Sequence, residues 1–407
     1  MYLKRICLCC IILGSFVIGG CSPEKEEHAL FLLEEVRGTI QSDYNQLKEG
    51  KWGNVKTNDF EVQFTNKNEI YNLEISRKKE KLNGKQMKRL ISNQIDISKQ
   101  YLGKDIRDKD FEIGMIFDDN TGSRYSYNEK FMKELENGNY DKGEISFVLY
   151  DKMEEKEKYM QMNQDYSLVW MSSGKAKQLG GSVATALSAA QGQAENAVIY
   201  SKNDLDTILQ KKYLLKDGEI SIKEGIEFVE DYINNRKKYP VNTDSIPQVV
   251  DQIYVMPLHD ELYEYYFTLR RTYDGISFDS SLDGRLCTSE EENTVYDVAG
   301  ISMIGKEDID FFYGSIDNSN ITRTGESITK IVTLKEAVQN VLKNIDKKSE
   351  IVVKNIEFLY RSKSASDKQE TEYAYPVWKV SIYNGKTETL VYYFVNAVTG
   401  EMEIVPI

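Results

Sequence analysis

The feature that most constrains the fold of this 407-residue chain is a weak internal duplication in its carboxy-terminal half. Ser221 and Thr333 are each followed three positions later by Glu, the capping-box spacing of a helix N-terminus, and then by an apolar stripe at helical spacing. A Val-Val pair begins a matched strand after each helix, at Val249 and at Val352. The helix starts lie 112 residues apart and the strands 103. The pattern predicts the same helix-then-strand unit twice, the alternative being that two unrelated units are similar by chance.

The next strand of each copy can be aligned in two ways. One alignment matches two alternating triplets: Tyr265, Phe267 and Leu269 with Trp378, Val380 and Ile382. The other matches residues 265–267 with 392–394, because both segments read Tyr-Tyr-Phe. The sequence alone leaves both alignments open.

Strand and helix signals also alternate before the duplication. Apolar residues alternate at Phe60, Val62 and Phe64, as in a half-buried strand, whereas those from Met87 to Leu102 recur at helical spacing. We predict an α+β protein with a mixed amino-terminal domain followed by two helix-plus-antiparallel-sheet modules. The predicted divisions are a signal peptide at 1–20, a lipidated tether or helix at 21–50, and domains at 51–215, 216–320 and 321–407.

The amino terminus has the pattern of an export signal. Lys4 and Arg5 precede an uncharged run from Ile6 to Ile18, which is short for a membrane span of roughly 20 residues. The run ends in Ile-Gly-Gly and Cys21, which resembles a bacterial lipobox, although Ile stands where Leu is usual. The resemblance implies that diacylglycerol is attached to Cys21 and anchors the mature chain. The alternative is a short uncleaved anchor helix.

Anchoring predicts a location on the extracytoplasmic face of the cell membrane, with the membrane itself as one partner. Removal of residues 1–20 takes away two basic residues and three of the five Cys, and changes the formal net charge from −13 to −15. With Cys21 lipidated, Cys287 is the single thiol left, so no intrachain disulfide is expected. The acidic excess also argues against nucleic acid as a partner.

One loop fits a twelve-residue calcium-binding pattern. Its first residue is Asp279, and the Gly at position 6 and the acidic residue at position 12 match the geometry that Ca²⁺ requires. The predicted side-chain ligands are Asp279, Ser281, Asp283 and Glu290. The preceding residues alternate as in strands instead of forming an entering helix, so an acidic loop after a hairpin is the favoured reading. We therefore predict no bound cofactor besides the covalent lipid.

Catalytic motifs are scarce. Ser172 and Lys175 have the Ser-x-x-Lys spacing of penicillin-interacting enzymes, but the partner Lys-Thr-Gly is missing. The chain has two His: His28 lies in the predicted tether and His259 in a predicted turn. Since a Ser-His-Asp triad would depend on one of them, we predict no catalytic residues. The protein is accordingly expected not to be an enzyme.

The second copy of the duplication resembles a known family. Residues 333–338 begin a helix, 376–382 form a strand, and 390–402 read as a hairpin with Thr-Gly at its turn. This is similar to PepSY-type modules and to the YycI-type extracytoplasmic regulators of Gram-positive sensor kinases, although Asn396 stands where those modules usually have Asp. The whole chain resembles uncharacterised clostridial lipoproteins.

The resemblance implies a helix packed on antiparallel strands, with an inhibitory, regulatory or peptide-contacting role and no catalytic residues. The predicted function is a non-enzymatic binding or regulatory module for an envelope protein partner. The alternative is a surface lipoprotein that captures a small ligand or a peptide.

Overall fold

The structure is a computed structural model of the whole chain. It describes residues 28–50, 52, 55–57, 60–77, 83–102, 107, 110–116, 122–126, 128–137, 146–151, 158–163, 169–173, 179, 198–201, 208–234, 246–279, 299–314, 319–345, 351–364, 371–385 and 389–404. Cys21 and the predicted signal peptide lie outside these residues, as do Ser281, Asp283 and Glu290.

Five α-helices lie in the described residues. They are α1 (Leu33–Glu49), α2 (Gly84–Leu102), α3 (Glu129–Glu136), α4 (Ile222–Asn234) and α5 (Leu334–Asn344). Both predicted capping boxes are confirmed. Ser221 Oγ accepts from Glu224 N and its backbone N donates to the Glu224 carboxylate, at the start of α4. Thr333 and Glu336 make the same reciprocal pair at the start of α5, so each helix begins where its sequence signal places it.

The strands of the described residues alternate with these helices. They are β1 (Phe31–Leu32), β2 (Val55–Lys56), β3 (Glu61–Gln63), β4 (Ile70–Arg77), β5 (Phe111–Ile116), β6 (Gly122–Ser126), β7 (Ser146–Asp151), β8 (Lys158–Asn163), β9 (Val169–Ser172), β10 (Val198–Ser201), β11 (Lys212–Leu215), β12 (Gly218–Ser221), β13 (Gln248–Pro257), β14 (Tyr263–Tyr273), β15 (Ile276–Ser277), β16 (Ala299–Gly305), β17 (Asp308–Gly314), β18 (Ser319–Ile328), β19 (Lys330–Ile331), β20 (Ile351–Ser364), β21 (Thr371–Asn384), β22 (Thr389–Asn396) and β23 (Met402–Ile404).

Two large sheets dominate the molecule. Sheet I has the order β10-β13-β14-β16-β17-β9-β8-β7-β5-β6, with β15 paired to β14. Its pairs are antiparallel, and α2, α3 and α4 contribute to the apolar core that its strands share. The side chains of Met87, Leu135 and Val229 represent the three helices in that core. The mixture of helices and largely antiparallel sheets confirms the predicted α+β class.

Sheet II combines strands from both ends of the described chain. Its order is β18-β4-β21-β20-β2, with β22 and β23 continuing from β21 and β3 also paired to β20. β4 pairs with β21 at residues 371–374, while β2 and β3 pair in parallel with β20. Residues 55–77 therefore lie in the same sheet as the carboxy-terminal strands, which the sequence patterns did not indicate.

Helix α1 packs on α5 against the core of sheet II. Leu33, Val36 and Leu47 are buried on its inner face. Asp43, also on α1, accepts a hydrogen bond of 3.3 Å from Lys335 N in the first turn of α5, where unpaired backbone N–H groups favour an acceptor. The segment after the predicted lipidation site is thus a helix docked on the second module, as one of the two sequence readings predicted.

The two copies of the duplication share one topology. The first module is α4-β13-β14-β16-β17 and the second module is α5-β20-β21-β22-β23, each with antiparallel strands in consecutive order. Both have a β-bulge at the same place: Asp251 is the extra residue in β13 and Lys354 in β20. The two bulges lie 103 residues apart, the spacing of the matched Val-Val pairs. Chance similarity does not predict a shared bulge, so this detail supports duplication.

The register decides between the two alignments of the next strand. Phe267 pairs with Ile253 in the first module, and Val380 pairs with Ile356 in the second. β14 and β21 therefore occupy the same place, and the alignment of Tyr265 with Trp378 is confirmed. The alignment with residues 392–394 is wrong because those residues belong to the third strand, β22.

Each module ties its helix to its sheet through one aromatic donor. Tyr265 Oη donates to Ile220 O over 2.6 Å, and Trp378 Nε1 donates to Val332 O over 3.1 Å. Both acceptors lie just before the capping residue of the helix that follows, at matched positions in the two copies. A buried carbonyl at a helix start is thereby satisfied in the same way twice.

Candidate functional site

The two modules meet through buried charged side chains, which is unusual because such groups are rarely buried unless they are paired. We call this set the inter-module charge cluster. It consists of Asp251, Arg270, Arg271, Asp279, Glu357, Glu372 and Lys379. Asp251, Arg270, Arg271 and Asp279 belong to the first module or its continuation, and the other three belong to the second.

Arg270 is the centre of this cluster. Its guanidinium lies 2.5 Å from Asp251 Oδ1 within the first module and 3.1 Å from Glu357 Oε1 in the second. Only 7% of the Arg270 side chain is exposed, and both carboxylates are similarly buried. Asp251 is the extra residue of the β13 bulge, a feature that commonly re-aims a side chain. One cation therefore bridges an acid of each module.

Arg271, the next residue of β14, makes a second link between the modules. Its guanidinium lies 3.6 Å from Glu372 Oε2 on β21, and its carbon Cζ lies 4.9 Å from the centre of the Phe278 ring. The Arg271 side chain is 1% exposed. The fixed planar fork of arginine suits simultaneous pairing with a carboxylate and stacking on an aromatic ring.

Lys379 and Asp279 form the third link. Lys379 Nζ lies 3.0 Å from Asp279 Oδ1 and 4.3 Å from the centre of the Tyr392 ring. Both side chains are buried. Asp279 was predicted as the first ligand of a calcium loop, and here its carboxylate faces an ammonium group. Because the other three predicted ligands lie outside the described residues, the calcium loop stays a prediction.

The backbone also joins the modules at this point. After β14 and β15 the chain crosses to β20, where Phe278 forms a parallel bridge with Tyr360. Asp279 N donates to Tyr360 O over 2.6 Å across the contact. Within the first module, Phe278 N donates to Arg271 O over 2.9 Å. The charged links and this crossing lie at one contact. The contact is therefore built by both main chain and side chains.

A second buried acidic group lies in the first module alone. Glu264 on β14 is fully buried, and burial together with the nearby Asp310 carboxylate raises the pKa of Glu264 to about 8. Asp310 accepts a hydrogen bond of 2.6 Å from Ser173 Oγ. A buried carboxyl with a raised pKa is neutral at moderate pH because desolvation disfavours its charged form.

Of the residues tested for catalysis, the structure describes Ser172, His28 and His259. Ser172 is buried in β9 and its carbonyl accepts from Gln94 Nε2, while Lys175 lies outside the described residues. His28 packs against the turn at Gly400, and His259 lies exposed in a one-turn 3₁₀ helix (His259–Glu261). In the part of the chain that the structure describes, no three His, Cys, Asp or Glu side chains are grouped so as to hold a metal ion.

Sequence reasoning missed the inter-module charge cluster apart from Asp279. A signal was present, since Asp251 interrupts the apolar β13 pattern and two adjacent arginines follow Leu269 in β14. Charged residues inside otherwise apolar strands indicate buried pairing or a function. The second-module partners of Arg270 and Arg271 are more than eighty residues away along the chain, so the sequence did not show which groups would meet.

The fold of nearly the whole chain has a counterpart among solved structures. An uncharacterised protein from Eubacterium rectale ATCC 33656, whose crystal structure has 1.45 Å resolution, matches with a TM-score of 0.52 and 16% sequence identity. The match covers 90% of this chain and 99% of that one. The C-terminal domain of Bacillus megaterium YpeB matches with a TM-score of 0.28 and 12% identity, over 78% of this chain and 97% of that one.

Comparison with curated proteins found no match. In the described residues, no helix has both the length and the apolar character that crossing a membrane requires. Domains of the PepSY family are often non-catalytic regulatory or binding modules. Residues 331–402, which span the second module, match the PepSY family, described as "Peptidase propeptide and YPEB domain".

Proposed function

We propose that this protein is a lipid-anchored, extracytoplasmic module that binds or regulates an envelope protein partner and performs no reaction itself. The observation that carries the proposal is the PepSY match at 331–402 on a module that is structurally duplicated. Two copies of a binding fold, fixed to each other by buried ion pairs, present a rigid composite surface. Rigid surfaces favour binding because less conformational freedom is lost on association.

The chemistry of the buried charges supports this role over catalysis. Arg270, Lys379 and Arg271 each lie within ion-pair distance of a carboxylate across the module contact. Groups engaged in this way position two modules, whereas a catalytic base or acid must reach a substrate atom.

An exposed aromatic side chain on the second module gives a place to look for the partner. Tyr373 on β21 is 48% exposed, the largest fraction among the exposed large apolar side chains of the described residues. Tyrosine is enriched at the energetic centres of protein interfaces because it buries a large area and keeps a polar end. We infer that the partner contacts the sheet II face around Tyr373.

Site-specific crosslinking in intact cells tests this inference. A benzophenone amino acid is placed at Tyr373, with Val198 on sheet I, which is 44% exposed, as the matched control position. The expected result is one crosslinked envelope protein from position 373 and none from 198, identified by mass spectrometry. Equal crosslinking from both positions, or none from either, would contradict a partner at this face.

The lipid anchor needs its own experiment. Cells are labelled with a radioactive or alkyne-tagged palmitate analogue, and the native chain is compared with Cys21→Ala. Label in the native chain alone, together with release or precursor accumulation of the variant, is expected. Equal processing of the two chains would refute lipidation.

The runner-up function, capture of a small ligand or peptide, gains support if crosslinking recovers a peptide in place of an envelope protein.

A further inference from the structure

Three consecutive apolar side chains are exposed at the amino-terminal end of the described chain. Leu30, Phe31 and Leu32 are 40%, 40% and 42% exposed. They make up half of the exposed large apolar side chains in the described residues. A contiguous apolar group of this kind indicates an interaction site more often than scattered single residues do.

This segment belongs to a small antiparallel strand pair. β1 pairs with β19 through Phe31 with Ile331 and Leu32 with Lys330, and the two form a separate two-stranded sheet, the β1–β19 ribbon. Successive side chains of a strand point to opposite faces, so Phe31 lies on the face of buried Ile331 and Leu32 on the face of exposed Lys330.

The ribbon is fixed firmly to the second module. Leu33 N donates to Thr329 O over 3.0 Å, and both Leu33 and Ile331 are buried. Just before it, His28 lies against the Gly400 turn between β22 and β23. Movement of the ribbon would therefore move the second module with it.

The predicted anchor is close to the ribbon along the chain. Leu30 follows Cys21 by nine positions, which limits their separation to about 32 Å even for fully extended backbone. If Cys21 carries lipid, these side chains stay within a few nanometres of the bilayer, at a high effective concentration for weak contacts.

We propose that the β1–β19 ribbon inserts its exposed apolar side chains, Leu30 to Leu32, into the membrane interface beside the lipid anchor. The insertion fixes the orientation of the second module relative to the membrane. This inference rests on the lipid-anchored location in the proposed function. The short tether favours the bilayer over a protein partner as the occupant, because it keeps these side chains within reach of the membrane interface.

Charge has a minor part in this contact. Lys330 is exposed on the ribbon, but Glu34 and Glu35 open α1 directly after it. Attraction to anionic headgroups is thereby offset, so the contact depends on apolar burial and on the tether. We expect it to be nearly independent of salt.

Depth-dependent fluorescence quenching tests the proposal without requiring lipidation. The full mature chain with Cys21→Ser carries an amino-terminal hexahistidine tag and is held on phosphatidylcholine vesicles that contain nickel-chelating lipid. Phe31→Trp is the reporter, and Leu214→Trp, at a residue that is 41% exposed on β11 of the first module, is the matched control. The chain without either substitution measures the background of its three native Trp.

The expected result is a blue shift in the emission of the reporter indole at position 31 on vesicles, and a loss of its intensity when the acyl chains are brominated. The control indole at position 214 should show neither change, and high salt should leave both results unchanged. Quenching at position 31 that does not exceed the quenching at position 214 overturns the proposal. Failure of palmitate labelling would refute the anchor alone, because the tagged chain reports insertion independently.

Discussion

The two modules solve the same packing problem with different side chains. In the first module the helix position facing the central strand is Gly225, and the strand carries Tyr265 and Phe267. In the second module the matched positions are Ala337, Trp378 and Val380. The smaller residue, Gly225, thus occurs with two aromatic rings on the strand. The larger residue, Ala337, occurs with one aromatic ring and one aliphatic side chain.

This difference shows which features the duplication preserved. Strand order, the bulge, the capping box and the aromatic donor to the pre-helix carbonyl are the same in both modules. Between the two modules, side-chain volume that is smaller on the helix is larger on the strand. Because protein interiors are close-packed, such volume changes are tolerated only when they compensate each other. The backbone geometry was retained, and the side chains that fill it were adjusted.

The largest predicted effect is on the link between the modules. Arg270→Met would leave Asp251 and Glu357 buried without their shared cation, so the free energy of unfolding should fall by about 3–5 kcal/mol. Urea denaturation of the full chain measures the change. Arg323→Met is the control, because its ion pair with Asp274 is about half exposed and should contribute much less to stability. Equal effects of the two substitutions would show that the buried link does not hold the modules together.

A helix substitution tests the exchange of core volumes. A Cβ at position 225 would lie 3.0 Å from ring atoms of both Phe267 and Tyr265, and the Tyr265 ring is held by its hydrogen bond to Ile220. We expect Gly225→Ala to destabilise the protein by about 1–2 kcal/mol, despite the helix propensity of Ala. Pairing it with Phe267→Leu, which makes room, should recover part of the loss in thermal melting. Stabilisation by Gly225→Ala alone would contradict the compensation argument.

The buried Glu264 gives the first module a pH dependence that the second module lacks at the matched strand position, where Val377 stands. Its folded-state pKa of about 8 exceeds the ordinary value of 4.5, so the folded state holds the proton more tightly. The stability that protonated Glu264 contributes is therefore fully present below about pH 4.5. This contribution is lost as the pH rises toward 8, with a slope of up to about 1.4 kcal/mol per pH unit.

Substitution isolates this contribution. Glu264→Gln keeps the shape of the neutral carboxyl, so urea midpoints of the variant should depend less on pH between 5 and 8 than those of the native chain. Glu224→Gln serves as a control that should leave the dependence between pH 5 and 8 unchanged, since hydrogen bonds from Ser221 hold the pKa of Glu224 below its ordinary value of 4.5 and its contribution is lost only as the pH falls. If the stability of the native chain and that of Glu264→Gln changed equally between pH 5 and 8, the raised pKa assigned to Glu264 would be refuted.

The sequence predicted the local parts of this architecture well. Capping boxes at Ser221 and Thr333 and the matched strands rest on short-range patterns, and each appears where it was expected. The pairing of β4 with β21 was not predictable in this way, because strand partners three hundred residues apart leave no periodic signal. Local propensity acts within a few residues, whereas sheet order depends on which surfaces the whole chain can bury.

The candidate site shows the same limit. Asp279 was noticed for the spacing of oxygen-bearing residues after it, yet its described neighbour is Lys379, one hundred residues later. Arg270 and Glu357 were not singled out, since each looks like an ordinary charged residue until both are seen to be buried. Burial and pairing are properties of the assembled sheets, so single-sequence reasoning detected the anomaly in β13 and β14 only weakly.

The smallest predicted effect concerns the aromatic donor that both modules share. Tyr265→Phe removes the donor to Ile220 O and leaves the ring in place, so the loss should be about 1 kcal/mol, the usual net contribution of one buried hydrogen bond. Hydrogen exchange of the first turn of α4 measures it locally and should accelerate, while the first turn of α5 should be unchanged. Tyr263→Phe on the same strand is the control, since Tyr263 is only half-buried. If Tyr265→Phe left α4 exchange unchanged, the shared donor would be a by-product of packing instead of the tie between helix and sheet.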